Sequence, residues 1–275
     1  MGRDMDITGV LLRRELAFAS ALALHAGKRI LRHRAAGVEV EHKAHGEVVT
    51  AADRESNDTI RGEIHDAFPT DAIYSEETQD SRHRLFHSRV WIVDPLDGTS
   101  DFIAGGDEFT VSIGLALDGR PVLGAIYNPV RDELFAGAVG VGATRNGSAI
   151  VASDADDLRR ARIVVSRKEH EGLAKLVPGV ALAPMTSMSY KLARVAAGLE
   201  DGALSRKCRK EWGSCAGVAL VLAAGGQATL LDGADIRFNR AEPKQPLGMV
   251  AAGSRLHPQL VHEVRHLLDD FPGER

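Results

Sequence analysis

The sequence predicts an α/β protein, and two patterns along its 275 residues support that class. In the second half, short apolar runs alternate with helical stretches from residue 161 to residue 268, which is typical of strands and helices packed in layers. In the first half, two helical stretches accompany a series of strands, which predicts a sheet with helices in front of it. A segment rich in Ala, Ser and Asp near residues 150–158 separates the two predicted units, residues 1–152 and 153–275.

The first unit begins with a long amphipathic helix over Thr8 to about Arg34, because apolar residues recur there at alternating steps of four and three. The pattern next predicts a strand over Val38–Lys43 and a helix that ends near Ala67. Residues 79–89 are rich in His and Arg and are predicted to form an exposed loop. The remaining strands are predicted at Ala72–Ser75, Val90–Val93, Phe109–Leu117, Val122–Asn128 and Glu133–Gly137. A hairpin turn is predicted after them, at Asn146-Gly147.

The second unit is predicted to alternate between strands and helices. Its predicted strands are Ala161–Ser166, Ala203–Ser205, Ala228–Leu231 and Gly248–Ala252. Its predicted helices are Ser187–Ala197, Trp212–Ala224 and Pro258–Leu268.

Composition narrows the classes of function. The net charge of −4 gives no electrostatic support for binding a nucleic-acid polymer. No run of about 18 apolar residues predicts a transmembrane segment, and the N-terminal stretch lacks a signal-peptide pattern. Cys208 and Cys215 alone make neither a disulfide framework nor a zinc site, so a cytoplasmic protein is expected.

Two carboxylates follow directly after the apolar strand Val90–Val93. Pro95 disfavours helical backbone at Asp94, so Asp94 is expected to be extended at the strand end. Asp97 follows three residues later, and the intervening Leu96 carbonyl adds a third hard oxygen of the kind that Mg²⁺ prefers. Taken alone, the Asp-Gly-Thr sequence also fits a simple turn with a helix N-cap.

The whole run Asp94-Pro95-Leu96-Asp97-Gly98-Thr99, behind a buried strand, resembles the signature of the inositol monophosphatase superfamily of metal-dependent phosphomonoesterases. The likeness covers essentially the whole chain. It implies a layered α-β-α-β-α sandwich of the inositol monophosphatase type that uses two or three Mg²⁺ ions, for which Mn²⁺ can substitute. It assigns the metal ligands to Glu76, Asp94, the Leu96 carbonyl and Asp97. It assigns the activation of water to Asp53, in Thr50-Ala51-Ala52-Asp53, and to Thr99.

Simpler structural roles stay open for two of these carboxylates. Asp53 also fits a carboxylate at a helix N-terminus, and Glu76 also fits a solvated pair with Glu77. The chemistry of the implied site is consistent, because divalent cations neutralise the charge of a phosphate ester and acidify a bound water. Clustered carboxylates repel one another without cations, so the site is expected to be metal-linked.

The resemblance also implies substrate contacts in both units. The N–H groups of Gly98 and Thr99 are expected to hold phosphate oxygens. Residues 186–191 open a helix and are similar to the family's Gly-Ser-rich segment, which assigns substrate contacts to Ser187 and Lys191. For Lys191, a phosphate contact and a plain position on the helix surface are both open.

One departure from the family's pattern lies in the segment Glu211-Trp212-Gly213. The family usually has Trp-Asp here, and Gly213 stands in place of the Asp. One ligand of the second metal is therefore expected to be missing, unless Glu211 or a water molecule takes its place.

The choice of substrate depends on two segments, Phe102–Val111 and Val164–Lys168, which resemble the 3′(2′),5′-bisphosphate nucleotidase branch. Ser166, Arg167 and Lys168 are then expected near the nucleotide, where the two cations suit a second phosphate. A solvated strand end is the alternative for them. The preferred hypothesis is hydrolysis of 3′-phosphoadenosine 5′-phosphate to AMP.

Two other functions stay open. One is an inositol monophosphatase, and the other is a degenerate phosphate-ester-binding protein with low activity because of Gly213. In each case the expected partner is a small phosphate ester. A homodimer is the assembly common among the inositol phosphatases of the superfamily.

Overall fold

The computed structural model describes residues 3–38, 40–42 and 48–270. The α-helices in these ranges are α1 (Arg3–Ala36), α2 (Ala51–Ala67), α3 (Thr99–Ile103), α4 (His170–Leu176), α5 (Met188–Ala196), α6 (Cys215–Ala223) and α7 (His257–Val264). The first strands are β1 (Val40–His42), β2 (Val48–Thr50), β3 (Ala72–Ser75), β4 (Arg89–Asp97), β5 (Thr110–Leu117), β6 (Arg120–Asn128), β7 (Glu133–Ala138), β8 (Gly142–Arg145) and β9 (Ser148–Ile150). The later strands are β10 (Arg162–Ser166), β11 (Ala181–Met185), β12 (Gly202–Ser205), β13 (Gly226–Leu230) and β14 (Met249–Gly253).

Two large sheets carry the fold. One has seven strands in the order β3-β4-β5-β6-β7-β8-β9, and the other has five in the order β11-β10-β12-β14-β13. Helices α1 and α2 pack on one face of the larger sheet, α5 and α6 lie between the two sheets, and α4 and α7 pack on the outer face of the smaller sheet. The predicted α-β-α-β-α sandwich is therefore confirmed.

The central strand β4 is covered on both faces, as its continuous apolar run predicts. Successive side chains of a strand point to opposite faces, and Trp91 and Val93 belong to the core beneath α1 and α2. Val90 and Ile92 belong to the core between the sheets. All four are buried, so the carboxylates at the end of β4 are fixed by a rigid strand.

Close packing of α6 on the larger sheet requires two glycines. A Cβ on Gly124 would lie 2.1 Å from the carbonyl oxygen of Ala216, and one on Gly114 would lie 2.8 Å from its nitrogen. Neither clash is relieved by moving a flexible side chain, because both atoms belong to the helix backbone. The segment that leads into α6 is held at a fixed depth against the sheet.

The structure corrects several predicted elements. Helix α4 and strand β11 were not predicted at all, and the last predicted helix continues as a 3₁₀ turn over Arg265–Asp270. Helix α6 begins at Cys215 rather than Trp212. Of the strand predicted over Val38–Lys43, the structure has Val40–His42 as a strand and Val38 outside it, while residues 39 and 43 lie outside the described residues.

Residues 79–89 are not a wholly exposed loop. They contain a 3₁₀ turn over His83–Phe86, and Arg84 is buried against the ring of Tyr74, 4.2 Å from the ring centroid. Arg84 also pairs with Asp80 and donates to Asn239. The expectation failed because polarity indicated exposure, whereas a buried Arg needs only enough partners for its donors.

No helix over the described residues is long and apolar enough to cross a membrane.

Candidate active site

The end of β4 bulges where the carboxylates lie. Asp94 is paired with Ser112 and Asp97 with Thr110, so three steps along β4 match only two steps along β5. One extra residue in β4 breaks the ladder and redirects the side chains, which is the usual effect of a bulge. The bulge explains why Asp94, Asp97 and the Leu96 carbonyl all face one pocket.

This pocket has a volume of about 220 Å³, and its lining comes from the end of β4 and neighbouring residues, from α5 and from the segment that precedes α6. From the first unit come Glu76, Asp94, Leu96, Asp97, Gly98 and Thr99. From the second unit come Met188, Arg209, Lys210, Trp212 and Gly213.

Asp94 is the buried member of the carboxylate cluster that lines the pocket, and Glu76 beside it is half-buried. Burial, followed by the nearby charges of Glu76 and Asp97, raises the pKa of Asp94 well above its ordinary value. A hydrogen bond between Glu76 and Asp94 contributes to the same shift. Such a crowded set of hard oxygens suits a divalent cation, whose charge would offset the repulsion among the carboxylates.

The cluster is not a preformed metal cage. Among the described residues, no group of three or more His, Cys, Asp or Glu side chains meets the geometry of a metal site. Two contacts account for this, since Glu76 and Asp94 are turned toward each other and one oxygen of Asp97 is bonded elsewhere. The implied ligands Glu76, Asp94, Leu96 and Asp97 are nevertheless gathered in one pocket.

Asp53 joins this site through Thr99. The Thr99 hydroxyl lies 3.1 Å from Asp53 Oδ1 and 3.0 Å from the Leu96 carbonyl oxygen. The other oxygen, Asp53 Oδ2, accepts hydrogen bonds from the backbone N–H (2.8 Å) and the hydroxyl (2.6 Å) of Thr50. Asp53 is thus both part of the capping box of α2 and a neighbour of Thr99, so the structural role is confirmed and the role in activating water stays a prediction.

Asp97 is held from the second unit. Its Oδ2 accepts hydrogen bonds from the Ser187 hydroxyl at 2.7 Å, the Ser189 backbone N–H at 2.7 Å and the Ser189 hydroxyl at 2.6 Å. Ser187 also caps α5 by accepting from the Tyr190 N–H. Ser187 is fully buried in this arrangement, and its hydroxyl is directed at a carboxylate. Sequence reasoning missed Ser189, since nothing local to it indicates a partner 92 residues away.

Arg167 is exposed but already paired. It donates to Glu108 Oε2 at 2.8 Å and to the Thr186 hydroxyl at 3.0 Å, and the Thr186 N–H donates to the same Glu108 oxygen. Ser166 is half-buried and Lys168 is exposed. A second phosphate at this place would have to compete with Glu108 for Arg167.

Lys191 is not a residue of the helix surface, so that alternative was wrong. It is 1% exposed, and its Nζ donates to the carbonyl oxygens of Met185 and Thr186, both at 3.2 Å. Burial, followed by the charge of Arg209, lowers the pKa of Lys191 to about 8. Two of the three N–H groups of its ammonium are used by these carbonyls, so a direct phosphate contact would have to reach the remaining N–H of a buried side chain.

The space at Gly213 is open toward Asp94. A Cβ built on Gly213 would have Asp94 Oδ2 as its single neighbour within 4 Å, at 3.9 Å. Glu211 does not point into this space, because its two oxygens accept from the backbone N–H groups of Asn239 (2.7 Å) and Arg240 (2.9 Å). Of the two alternatives left open for the missing ligand, Glu211 is therefore not in place to supply it in this arrangement.

The basic side of the pocket was also missed. Arg209 and Lys210 line it beside Gly213. Arg209 is bound to Glu169 and to the Ser205 hydroxyl, and the Lys210 ammonium lies 5.5 Å from the centroid of the Trp212 ring. The run of cations at residues 206–210 was the available signal.

Comparison with known proteins gives a consistent result. The model of the family described as "Inositol monophosphatase family" matches residues 12–269. The chain is 33% identical over 202 residues to inositol monophosphatase 3 of Solanum lycopersicum, covering 68% of this chain and 75% of that protein. It is 28% identical over 275 residues to the fructose-1,6-bisphosphatase/inositol-1-monophosphatase of Aquifex aeolicus, covering 94% and 98%. The structure of inositol monophosphatase from Anabaena (Nostoc) superposes with a TM-score of 0.78 at 29% identity, covering 93% of this chain and 96% of that one.

Proposed function

Because the chain belongs to the inositol monophosphatase family and is a metal-dependent phosphomonoesterase, we propose that it hydrolyses a small organic monophosphate, with inositol monophosphate as the first candidate. The observation that supports this most directly is that three carboxylates, a carbonyl and a hydroxyl line one pocket.

We expect Glu76, Asp94, Asp97 and the Leu96 carbonyl to hold Mg²⁺ there. The bound cations would supply charge neutralisation at the phosphate and acidification of a water molecule. The Thr99 hydroxyl lies 3.1 Å from Asp53 and donates to it. It is placed to accept a hydrogen bond from that water, so that a proton released by the water would reach Asp53 through Thr99. Gly98 and Thr99 offer backbone N–H groups to the phosphate oxygens, and the positive φ of Gly98 (98°) keeps that turn tight.

The comparisons favour the inositol monophosphatase alternative over the nucleotidase hypothesis, because the relatives carry inositol monophosphatase names. The geometry around Arg167 agrees with that preference. A cation already bonded to Glu108 offers less to a second phosphate than a free one, since the anion must first displace a charge-assisted hydrogen bond. A substrate with one phosphate needs no such exchange.

A phosphate-release panel tests the proposal, with inositol monophosphate and 3′-phosphoadenosine 5′-phosphate as substrates in the presence of Mg²⁺. We expect kcat/KM to favour inositol monophosphate by tenfold or more, which is about 1.4 kcal/mol at the transition state. A tenfold preference for the nucleotide would restore the nucleotidase hypothesis. In that case Arg167→Ala should lower activity on the nucleotide and leave activity on inositol monophosphate nearly unchanged.

Asp94→Asn is the matched control, because it keeps the shape of the side chain and removes its charge. Wild-type release no greater than that of Asp94→Asn, together with calorimetric binding of the ester, would instead identify a degenerate binding protein. The predictions of Mn²⁺ substitution and of a homodimer carry over unchanged, and metal replacement and sedimentation equilibrium test them.

A further inference from the structure

Asp97 receives an unusual share of its bonds from the other half of the molecule. All three of its hydrogen bonds from α5 converge on one oxygen, Oδ2, at 2.6–2.7 Å. Bonds of this length to a carboxylate are charge-assisted and stronger than neutral ones. Asp97 also lines the pocket, so with Oδ2 held by α5 the oxygen left for a cation is Oδ1.

The donors themselves are fixed from both sides. The Ser189 hydroxyl lies 2.7 Å from the Thr110 hydroxyl, and Thr110 is the residue of β5 that pairs with Asp97. Because Ser189 donates its proton to a carboxylate, which only accepts, it accepts from Thr110. The result is a chain of hydrogen bonds from Thr110 through Ser189 to Asp97, in which Ser189 and Thr110 are both fully buried.

The backbone ahead of these donors is fixed as well. Lys191, one helical position beyond Tyr190, donates to the carbonyl oxygens of Met185 and Thr186. These carbonyls belong to the two residues that directly precede Ser187, so they fix the position from which Ser187 donates to Asp97. Neither hydroxyl can therefore shift without breaking bonds in the interior.

We propose that Ser189 is a positioning residue for Asp97, and that its hydroxyl sets the affinity of the pocket for a divalent cation by holding Oδ2 away from it and presenting Oδ1. This inference rests on the proposed function, in which Asp97 is a metal ligand. Groups that hydrogen-bond a metal-ligating carboxylate typically change metal affinity by about 10–100-fold when they are removed.

The test compares Ser189→Ala with Thr110→Val. Each variant removes one buried hydroxyl from the same hydrogen-bond chain, but only the Ser189 hydroxyl donates to the Asp97 carboxylate. Isothermal titration calorimetry of Mg²⁺ into metal-free protein should give about 10–100-fold weaker binding for Ser189→Ala. Thr110→Val should stay within about threefold of the wild type, since the bond it loses is not to Asp97. Circular dichroism and melting curves establish that both variants are folded.

A second variant covers the case in which Ser189→Ala does not fold. Ser187→Ala removes another donor to the same Oδ2, and it should also weaken Mg²⁺ binding by at least threefold. The half-saturating Mg²⁺ concentration for phosphate release should rise in parallel. A purely structural loss would instead lower the melting temperature and leave that Mg²⁺ concentration unchanged.

The outcomes separate the two levels of the argument. If the wild type binds Mg²⁺ and Ser189→Ala binds it equally well, the positioning role is wrong and the proposed function stands. Equal weakening by Thr110→Val and Ser189→Ala would also overturn it, because the effect would then come from the hydroxyl network in general. If the wild type binds no Mg²⁺, both the inference and the proposed function fall.

Discussion

Replacing Gly213 by Asp should couple the stability of this protein to Mg²⁺. The new Cβ would lie 3.9 Å from Asp94 Oδ2 with no other heavy atom within 4 Å, so the side chain has room. Gly213 is not among the positive-φ glycines, so an Asp adopts its backbone without strain. The substitution therefore adds one carboxylate beside a cluster that already contains Glu76, Asp94 and Asp97.

The size of the effect follows from Coulomb's law. Two like charges about 4 Å apart repel by about 1 kcal/mol in bulk water and about 4 kcal/mol at the effective dielectric constant of a protein surface. Without metal, Gly213→Asp should thus lose up to about 4 kcal/mol of stability, and less to the extent that Asp94, whose pKa is raised, stays protonated. For a protein of this size each kcal/mol lowers the melting temperature by about 2–4 °C. With Mg²⁺ the added carboxylate becomes a ligand, and the loss should turn into a gain because the cation binds only the folded state.

The assay is thermal unfolding in EDTA and across a Mg²⁺ titration, with Gly213→Asn as the control of equal shape and no charge. Gly213→Asp should melt below Gly213→Asn in EDTA and above it in saturating Mg²⁺. Identical melting of the two variants in both conditions would refute the reasoning, since it would mean that no charge at residue 213 reaches Asp94 or a cation beside it.

Two further predictions concern buried ionisable groups. Burial, followed by the charge of Arg209, lowers the pKa of Lys191 from 10.5 to about 8, so between these values the unfolded chain binds the extra proton and stability should rise with pH. The free energy of unfolding in urea, taken as the wild type minus Lys191→Met, should rise by up to about 3 kcal/mol from pH 8 to 10.5. A difference that does not change with pH would contradict this prediction. Burial raises the pKa of Glu211 from 4.5 to about 7, so there the native state binds the extra proton. The stability of the wild type relative to Glu211→Gln should accordingly fall from pH 4.5 to pH 7, and a rise over that range would show that Glu211 is stabilised as an anion by the N–H groups it accepts from.

Elements with a strong local pattern were predictable from the sequence. Strand β3 has the predicted bounds, and β4 follows from an apolar run that is buried on both faces. The alternation of strands and helices indicated an α/β protein packed in layers, whereas the specific α-β-α-β-α order came from the resemblance. Strand β11 was missed because it is an edge strand that contains Pro184 and is mostly not buried. Helix α4 has only seven residues, fewer than a helical period can establish.

The site residues also differ in how far the local sequence predicted them. The run from Asp94 to Thr99 is local, and its position at the end of a strand could be read directly. The role of Glu211 could not, because its partners are backbone N–H groups 28 and 29 residues away, in a turn where Asn239 has a φ of 56°. Lys191 was misjudged for a related reason, since a lysine is almost never fully buried without partners and its partners here are carbonyls of a segment with no regular pattern.

These contacts bear on how the two predicted units relate to the chemistry. Asp94 and Thr99 are fixed by the seven-stranded sheet and the bulge of β4, while Asp97, from the same bulge, is fixed by α5 of the other unit. The wall that contains Gly213 is fixed by α6, which Gly124 allows to sit close against the same sheet. Residues 1–152 alone would carry every proposed metal ligand, yet Asp97 would lack the three donors that orient it. The division of the chain near residue 152 stays a prediction, and the pocket depends on contacts between the larger sheet and the two helices that lie between the sheets.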